Sequence, residues 1–561
     1  MGEASIRLAR RRWPVVALAA YGAIMVPMAF HFSDLINPDG VAYLRIAGYY
    51  LSGDVAKAVS GYWSPLYSWL LMPWLAVGVP GLLATKLLGV LLAMAWVVGV
   101  ALLGRRFLEN AITRTLLIVA AAVSVLTWSM EIRADLLLAV VLTYYFYFVS
   151  DPAVTTRPAR GFACGLLGGL AYLAKAFAFP FFITHFLGTV GLRAWAQPGL
   201  HSRKRYVAVA LAGMLGFLVL AAPWVGVLFM KYGRLTISTA VGPGNMPGSV
   251  SRGARSLEAA PFPPELTLSP VEPGRLTAWE APDELYARSP GATSRPAHAV
   301  AGSGRLQVIL ANLIVIRNQL SDYDYFHLAL AALLGSAFVG LLRGRASASA
   351  ARYLWGTFTV VLYAVAYLPL WAREERYFWP IAGLLMVLTF GLVEEFVRVF
   401  TRDAEHADGR RVPGGRWVAL TALVVAFSYA QVGSHWLLYR YQKPRANFGR
   451  LAAQLEEEAG RRGATLKGPI AGNYWPYTVY LAYTMNQPSY GSTTTEDPAL
   501  LAAELSRLGV RTFFVFNNEA LAERLKQSDG FRPLAELSMI PQATPPATLA
   551  AFEVPGRSAG R

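Results

Sequence analysis

The chain has 561 residues, of which 55% are hydrophobic and 15% charged, and its formal net charge is +17. This composition is too apolar for a string of soluble domains and is typical of a protein that lies in a lipid bilayer. The positive charge is largely explained by arginines in short loops, and no basic face that would indicate a nucleic-acid-binding protein is visible.

Hydrophobic runs long enough to cross a bilayer recur along the first 440 residues. A spanning helix needs roughly 17 to 25 residues, and about eleven runs approach that length. The predicted spans are 13–31, 82–103, 115–130, 134–150, 161–175, 176–192, 206–230, 325–342, 353–371, 378–396 and 416–438. The first run lacks a small-residue cleavage site, so we predict a retained first helix rather than a signal peptide. An odd number of spans places the two termini on opposite sides of the membrane.

Basic residues in alternate loops predict the orientation of these spans. The clusters are Arg7, Arg10, Arg11 and Arg12; Arg105, Arg106 and Arg114; Arg157 and Arg160; Arg203, Lys204 and Arg205; Arg343, Arg345 and Arg352; and Arg402, Arg410, Arg411 and Arg416. Short basic loops remain in the cytoplasm. We therefore predict a multi-pass protein of a bacterial cytoplasmic (inner) membrane with a cytoplasmic N-terminus.

Three segments then face outward: the first loop (32–81), a long loop (231–324) and a tail (443–561). The first loop contains "VAYLRIAGYYL" and "SPLYSWLLMPWLAV", which we predict to be helices in the membrane interface. The long loop is rich in Pro, Gly and Ser and is predicted to be irregular, with "LQVILANLIVIRNQL" as a helix near its end.

Helix and strand patterns alternate in the tail. "NFGRLAAQLEEEAGRRG" and "DPALLAAELSRLG" predict amphipathic helices, whereas "GPIAGN", "RTFFVFN" and "LAAFEV" predict short strands. The fold class is therefore an all-α polytopic membrane protein with a small α/β domain outside the membrane. Residues 1–442 form the transmembrane core, and residues 443–561 form the extracytoplasmic domain.

Charged residues gather at the outward edge of the predicted spans, where they are costly and often functional. The first loop carries Asp34, Asp39 and Arg45; the next outward turns carry Glu131, Arg133 and Asp135, then Lys175, and finally Arg373, Glu374, Glu375, Arg376 and Tyr377. A carboxylate can take a proton from an attacking hydroxyl, and cations can hold a phosphate as it leaves. The pattern suggests transfer of a group from a lipid phosphate.

The order of several short motifs resembles the GT-C glycosyltransferases. The motifs are "NPDGVAYLRIAGYYLSGD", "YWSPLYSWLLMPW", "RAD", "GLLGGLAYLAK", "APWVGVLFMKYG" and "ERYFWPIAGLL", over roughly residues 10–440. Within GT-C enzymes the chain resembles protein mannosyltransferases, aminoarabinose transferase and the RgtA-B-C-D-like (family 39/83-like) group. The resemblance implies an inverting transfer from a polyprenyl-phosphate sugar.

The resemblance also implies roles for particular residues. Asp39 matches the acid after the first helix, which serves as catalytic base or engages a metal, and Asp135 matches the acid that opens the fourth helix. Lys175 and Arg376 match the cations near the lipid phosphate; Tyr377, Arg45 and Arg133 complete the predicted phosphate-binding set.

The chain departs from many relatives in one position, because Gly40 follows Asp39 where a second acid is common. The second carboxylate then comes from Asp34, Glu131 or Asp135, or is absent. A divalent metal, Mg²⁺ or Mn²⁺ held by Asp39, Asp135 and Glu131, is an open alternative.

Structural explanations compete with these roles. Asp39 could shape a turn or cap a helix beginning at Val41, and Asp135 could cap the fourth helix. Lys175 could extend to the lipid headgroups, Arg45 could balance local charge, and the run 373–376 could neutralise itself at the surface.

The sequence therefore predicts a membrane-bound hexosyl or pentosyl transferase that moves a sugar to an acceptor hydroxyl at the outer membrane face. The acceptor is a lipid, a glycan or a protein. The alternatives are a lipid or sugar transporter or flippase, and a non-catalytic envelope assembly protein. Deleting residues 443–561 should separate an assembly protein, which would lose all function, from a transferase, which would keep turnover on simple acceptors.

Overall fold

A computed structural model describes most of the transmembrane core and the tail. The described residues are 3–196, 200–240, 334–335, 348–367, 375–408, 421–426, 447–466, 468–487, 489–492, 496–507, 509–538 and 548–554. The predicted helix at 306–320, the predicted spans 325–342 and 416–438 for the most part, and residues Arg373 and Glu374 lie outside them.

Helices make up the described part of the N-terminal three quarters of the chain. They are α1 (Glu3–His31), α2 (Pro38–Leu51), α3 (Val55–Ala58), α4 (Leu66–Ala76), α5 (Gly81–Phe107), α6 (Ala111–Ser124), α7 (Ala134–Val149), α8 (Pro158–Ala174), α9 (Ala178–Ala196), α10 (Leu200–Tyr232), α11 (Ala348–Tyr367) and α12 (Trp379–Asp408). Short 3₁₀ helices cover Trp128–Met130, Pro152–Thr156 and Glu375–Phe378.

Four segments within the described residues are long and apolar enough to cross a membrane: Gly81–Phe107, Ala111–Met130, Arg203–Tyr232 and Arg376–Arg398. Helix α5, with 27 residues, is roughly 40 Å long at 1.5 Å per residue, which exceeds the thickness of a hydrocarbon core of about 30 Å. Apolar side chains from the helices form one continuous core. The predicted count of eleven spans stays a prediction.

Glycines let α8 and α10 approach closely. A Cβ on Gly165 would lie 2.0 Å from the carbonyl oxygen of Gly213, and one on Gly216 would lie 2.3 Å from that of Phe162. Neither position has room for a side chain. Small residues at such crossings are how membrane helices bring their backbones into contact.

Arginines from three predicted cytoplasmic loops meet at one end of the helix bundle. Asp151, just after α7, accepts hydrogen bonds from Arg106 at 2.9 Å and from Arg160 at 2.6 Å. Arg352 donates to the carbonyl oxygen of Arg106 at 2.5 Å. Loops that the arginine pattern assigned to one side of the membrane therefore lie at the same end of the molecule.

The two predicted interfacial segments of the first loop are helical, as α2 and α4. Asn37 begins α2: its side-chain oxygen accepts the Gly40 N–H at 2.6 Å, which satisfies a helix-end donor. The α2 helix is largely buried. It therefore lies within the fold rather than on a surface.

The C-terminal unit, residues 448–553, is a five-stranded sheet with helices. Its elements are α13 (Phe448–Arg461), β1 (Ile470–Gly472), α14 (Trp475–Met485), β2 (Ser489–Ser492), α15 (Pro498–Arg507), β3 (Thr512–Phe516), α16 (Glu519–Lys526), β4 (Arg532–Ser538) and β5 (Thr548–Glu553).

The strand order of this sheet is β2-β1-β3-β5-β4. Strands β2, β1 and β3 are parallel, and β5 runs antiparallel between β3 and β4. Apolar clusters cover both faces, one including Phe514 and Leu455 and the other Phe513 and Tyr490. The alternation of side chains along β3 places Phe513 in one cluster and Phe514 and Phe516 in the other.

Candidate functional site

Helix α2 carries Asp39 in its first turn. Because Asn37 supplies the capping side chain and the helix begins at Pro38, Asp39 is not the N-cap. Asn37 also donates to the carbonyl oxygen of Ile132 at 3.4 Å. The start of α2 is thereby attached to the turn that precedes α7.

Gly40 allows α2 to approach the turn before α7 closely. A Cβ at Gly40 would lie 2.7 Å from Cδ1 and 2.9 Å from Cβ of Ile132. Because Ile132 is β-branched and fully buried, it has little freedom to move aside. The glycine that replaces the expected second acid is therefore required by the packing of α2 against this turn.

The acids and cations predicted from the sequence meet at the N-terminal end of α7. Arg376 Nη1 lies 2.5 Å from Asp39 Oδ2 and 3.8 Å from Asp135 Oδ2. Lys175 donates to Asp135 Oδ1 in a second ion pair. These four residues come from α2, α7, the end of α8 and the 3₁₀ helix before α12, so four separate segments build the site.

The cations determine the ionisation of Asp39. Burial alone would raise the pKa of this carboxyl, but the positive charges of Arg376, Arg133 and Lys175 outweigh that effect and hold the pKa below its usual range. Asp39 therefore stays a carboxylate at neutral pH, although its side chain is only 17% exposed.

Tyr377 lies between the two cations. Lys175 Nζ is 4.5 Å and Arg376 Cζ is 5.3 Å from the centre of its ring, distances typical of cation–π contacts. The ring stacks on Tyr367 at 5.5 Å, and Tyr367 stacks on Phe177 at 3.9 Å. Tyr377 thus contacts both cations and stacks on a row of aromatic rings formed by Tyr367 and Phe177.

The two remaining predicted cations, Arg133 and Arg45, lie in different surroundings. Arg133 forms an ion pair with Glu131, and its charge acts on Asp39. Arg45 lies over the ring of Tyr49, 5.4 Å from its centre, and its charge acts on Tyr483 of the C-terminal unit. Arg45 therefore acts electrostatically on a residue of the C-terminal unit, whereas Arg133 acts on Asp39.

Sequence reasoning missed two tyrosines near the acids. Tyr43 is buried one helical turn after Asp39, where burial and the charges of Asp39 and Asp135 raise its pKa. The i, i+4 spacing on α2 was the available signal. Tyr480 comes from the C-terminal unit, and burial together with the charge of Asp39 raises its pKa; no local pattern connects positions so far apart.

The carboxylates do not fit the open alternative of a divalent metal. Asp39, Asp135 and Glu131 are each paired with a cationic side chain, which competes for the oxygens that a metal would need. Among the described residues, no group of three or more His, Cys, Asp or Glu side chains is placed to hold an ion. We derive no step through a metal.

Two solved structures of one protein share this fold. ArnT from Cupriavidus metallidurans bound to undecaprenyl phosphate matches at a TM-score of 0.55 and 14% identity, and its apo state at 0.52 and 13%; each match covers 96% of this chain and 97% of ArnT. The oligosaccharyltransferase AglB from Archaeoglobus fulgidus, in complex with an inhibitory peptide and a dolichol-phosphate, matches at 0.48 and 12%, over 91% of this chain and 70% of AglB.

No family model and no curated protein matches the chain. At 14% identity the likeness to ArnT establishes a common fold over nearly the whole length of both chains. The resemblance to the GT-C group, which the ordered motifs indicated, is confirmed at the level of fold.

Proposed function

We propose that the chain is an integral membrane glycosyltransferase that moves a hexosyl or pentosyl group from a polyprenyl-phosphate donor to an acceptor hydroxyl. The observation that carries the proposal is the meeting of two carboxylates and two cations from four segments, Asp39 and Asp135 with Arg376 and Lys175. Removing four charged groups from water is costly, and packing alone does not explain why they are brought together at a mostly buried place.

The charges suit each part of such a transfer. Lys175 and Arg376 bind the donor phosphate and stabilise its negative charge as the bond to the anomeric carbon breaks. Asp39 takes the proton of the acceptor hydroxyl, whose oxygen forms the new bond from the opposite face of the sugar. Asp135 orients the acceptor. The configuration of the anomeric carbon is inverted, and the lipid phosphate leaves.

The donor phosphate also changes the state of the base. Arg376 is engaged by Asp39 at 2.5 Å, and a carboxylate held by a guanidinium is a weak base. When the phosphate takes the guanidinium, Asp39 loses its strongest stabilising charge and becomes more basic. Donor binding thereby prepares the base for the acceptor.

Other parts of the proposal concern location. The acidic and cationic cluster lies at the start of α7, and the arginines Arg106, Arg160 and Arg193 lie at its end, around Asp151. By the preference of arginines for the cytoplasmic side, the cluster faces outward. We place the protein in a bacterial cytoplasmic membrane with its C-terminal unit outside and the acceptor, a lipid, glycan or protein, arriving from that side.

Release of polyprenyl phosphate tests the proposal. Purified protein in detergent is incubated with a panel of labelled polyprenyl-phosphate sugars and membrane extract as acceptor source. We expect release from at least one donor, and a loss of about 10²- to 10⁴-fold in Asp39→Asn, the range for removal of a general base. No release from any donor would favour a transporter or an assembly protein. A parallel reaction with EDTA tests the metal alternative, and we expect no loss.

A further inference from the structure

Near α2, the C-terminal unit and the transmembrane helices each have a side chain that packs against the core of the other. Ile36, two residues before α2, packs against the apolar core of the C-terminal unit. In return, Tyr483 of α14 packs against the core of the transmembrane helices. The apolar cores of the two units therefore contact each other near the start of α2, the helix that carries Asp39.

Tyr483 contacts the transmembrane core at a specific place. A Cβ on Gly81, the first residue of α5, would lie 2.7 Å from the Tyr483 hydroxyl oxygen and 3.1 Å from Cδ2 of Leu44. The Tyr483 hydroxyl and the Leu44 side chain of α2 thus both lie against Gly81, where a larger residue would overlap them. Helices α2, α5 and α14 are joined at this point.

The side of α14 that faces the core is also close to the charges of the site. Tyr480 lies one turn before Tyr483, and its ring packs on Phe448 at 4.9 Å. The charges of Asp39 and Arg133 both act on its hydroxyl. Ile36, which packs against the C-terminal core, lies just before Asp39 in the chain, so the contact between the units is close to Asp39.

Helix α2 is consequently held from two sides. On one side, Gly40 and Asn37 fix it to Ile132 in the transmembrane core. On the other side, Leu44 lies with Tyr483 against Gly81, and Ile36 packs against the C-terminal core. Lys175 and Arg376, by contrast, lie on segments that these contacts do not include.

We propose that the C-terminal unit is a positioning element of the active site, which sets the location of Asp39 by holding α2 through Tyr483 and Ile36. The proposal rests on the transferase function proposed above. Tyr483 acts here as a positioning residue, because it touches α2 and α5 and none of the groups assigned to the donor. The unit then affects the chemical step more than donor binding.

Kinetics separate positioning from simple stabilisation. We expect Tyr483→Ala to lower kcat about tenfold or more with a donor KM changed less than about twofold, since displacing a catalytic group by about 1 Å can cost about 10²-fold in rate. Tyr483→Phe, which keeps the ring but removes the hydroxyl beside Gly81, should retain more of kcat than Tyr483→Ala. Gly81→Ala, which pushes Tyr483 out from the transmembrane side, has the same effect as Tyr483→Ala.

Tyr490→Ala is the matched control. Tyr490 is buried in the cluster on the opposite face of the same sheet, so its loss destabilises the C-terminal unit without touching α2. Equal losses of kcat in Tyr483→Ala and Tyr490→Ala overturn the proposal, as does a rise in donor KM with unchanged kcat.

A distance measurement tests the same contact without any activity. Spin labels are placed at Ser52→Cys, at the end of α2, and Glu523→Cys, on α16, in a Cys164→Ala background. We expect one narrow distribution of distances between the two labels when Tyr483 is present, and a broad distribution in Tyr483→Ala. An unchanged distribution overturns the proposal. Release of no polyprenyl phosphate by any variant, with the expected change in the distribution, contradicts the transferase function alone.

Discussion

Arg376 is the side chain on which the electrostatics of the site depend. Its guanidinium contacts Asp39 at 2.5 Å and lies 3.8 Å from Asp135. It is the largest of the charges that lower the pKa of Asp39 against the opposing effect of burial. A neutral residue at this position would leave two carboxylates near one another, with Arg133 and Lys175 as the remaining cations that act on Asp39.

The pH profile of kcat/KM tests this dependence, because it reports ionisations of the free enzyme. The folded pKa of Asp39 is lowered, so this carboxylate stabilises the fold above about pH 3.9, the unfolded value, and that contribution disappears as the pH falls through the folded pKa. We expect the acidic limb of wild type to lie below the usual aspartate range. In Arg376→Gln, the midpoint of this limb rises. An unchanged midpoint would show that Asp39 does not control the limb.

Gly40 gives a second prediction at the scale of one residue. In a helix, a change from glycine to alanine normally stabilises by roughly 0.5 to 1 kcal/mol. Here the new methyl group would overlap Ile132, so Gly40→Ala should displace α2 and lower the rate of donor turnover by about tenfold or more. Turnover of labelled donor measures the effect.

Gly48→Ala is the control for this prediction, because it lies on the same helix and a Cβ there meets no atom within 4 Å. It should leave turnover unchanged. Adding Ile132→Ala to Gly40→Ala should restore part of the lost turnover, since it removes the overlap with Cδ1 and Cγ2 and leaves only the approach to Cβ. If the two glycine variants behave alike, close packing at Gly40 is not what requires the glycine.

Among the elements, the contact between α8 and α10 is decided by backbone proximity. Gly165→Ala would place a methyl carbon 2.0 Å from the carbonyl oxygen of Gly213, and the helices must separate to accommodate it. We expect a lower midpoint of thermal unfolding in detergent, with a loss of about 1 to 3 kcal/mol, as for other overpacked sites. Gly191→Ala on α9, where no atom lies within 4 Å, should not lower it.

Element boundaries show what a local pattern can predict. The hydrophobic run at 82–103 and the basic residues that follow it correspond to α5, and the apolar run "RTFFVFN" corresponds to β3. Helix α2 begins three residues before the expected Val41, because Asn37 with Pro38 supplies the start of the helix. A cap and a proline at the first position are local signals, so this boundary was available from the sequence.

For the whole molecule, the arrangement of the two ends leads to a labelling prediction. Glu523 lies on the C-terminal unit, and Glu109, whose side chain is 67% exposed, lies at the end of the bundle that gathers the arginines. In intact cells, a membrane-impermeant maleimide should label Glu523→Cys and not Glu109→Cys. Permeabilised cells should label both. Labelling of Glu109→Cys in intact cells would reverse the proposed orientation.

The contact between the two units affects how removal of the C-terminal unit can be interpreted. Removing residues 443–561 would expose Ile36 and leave Leu44 without Tyr483, so a transferase would also lose much of its turnover. The deletion expected from the sequence to distinguish a transferase from an assembly protein does not do so. Single substitutions at the contact separate these cases better, because they leave both cores in place.

The sequence by itself determined that this protein has a core of long apolar helices, and it singled out the charged residues of the candidate site. Composition and hydrophobic runs are local properties, and so is the order of the motifs that resemble GT-C enzymes. Asp39, Asp135, Lys175 and Arg376 could be selected because charges next to apolar spans are costly. Their selection required no knowledge of distances.

Only the tertiary structure decided how these residues are paired. Asp39 and Arg376 are 337 positions apart, and no periodicity connects residues at that separation. The requirement for glycine at position 40 depends on Ile132, and the approach of Tyr480 and Tyr483 to α2 depends on the docking of the C-terminal unit. Such contacts arise from packing between segments distant in sequence, which hydropathy and spacing do not encode.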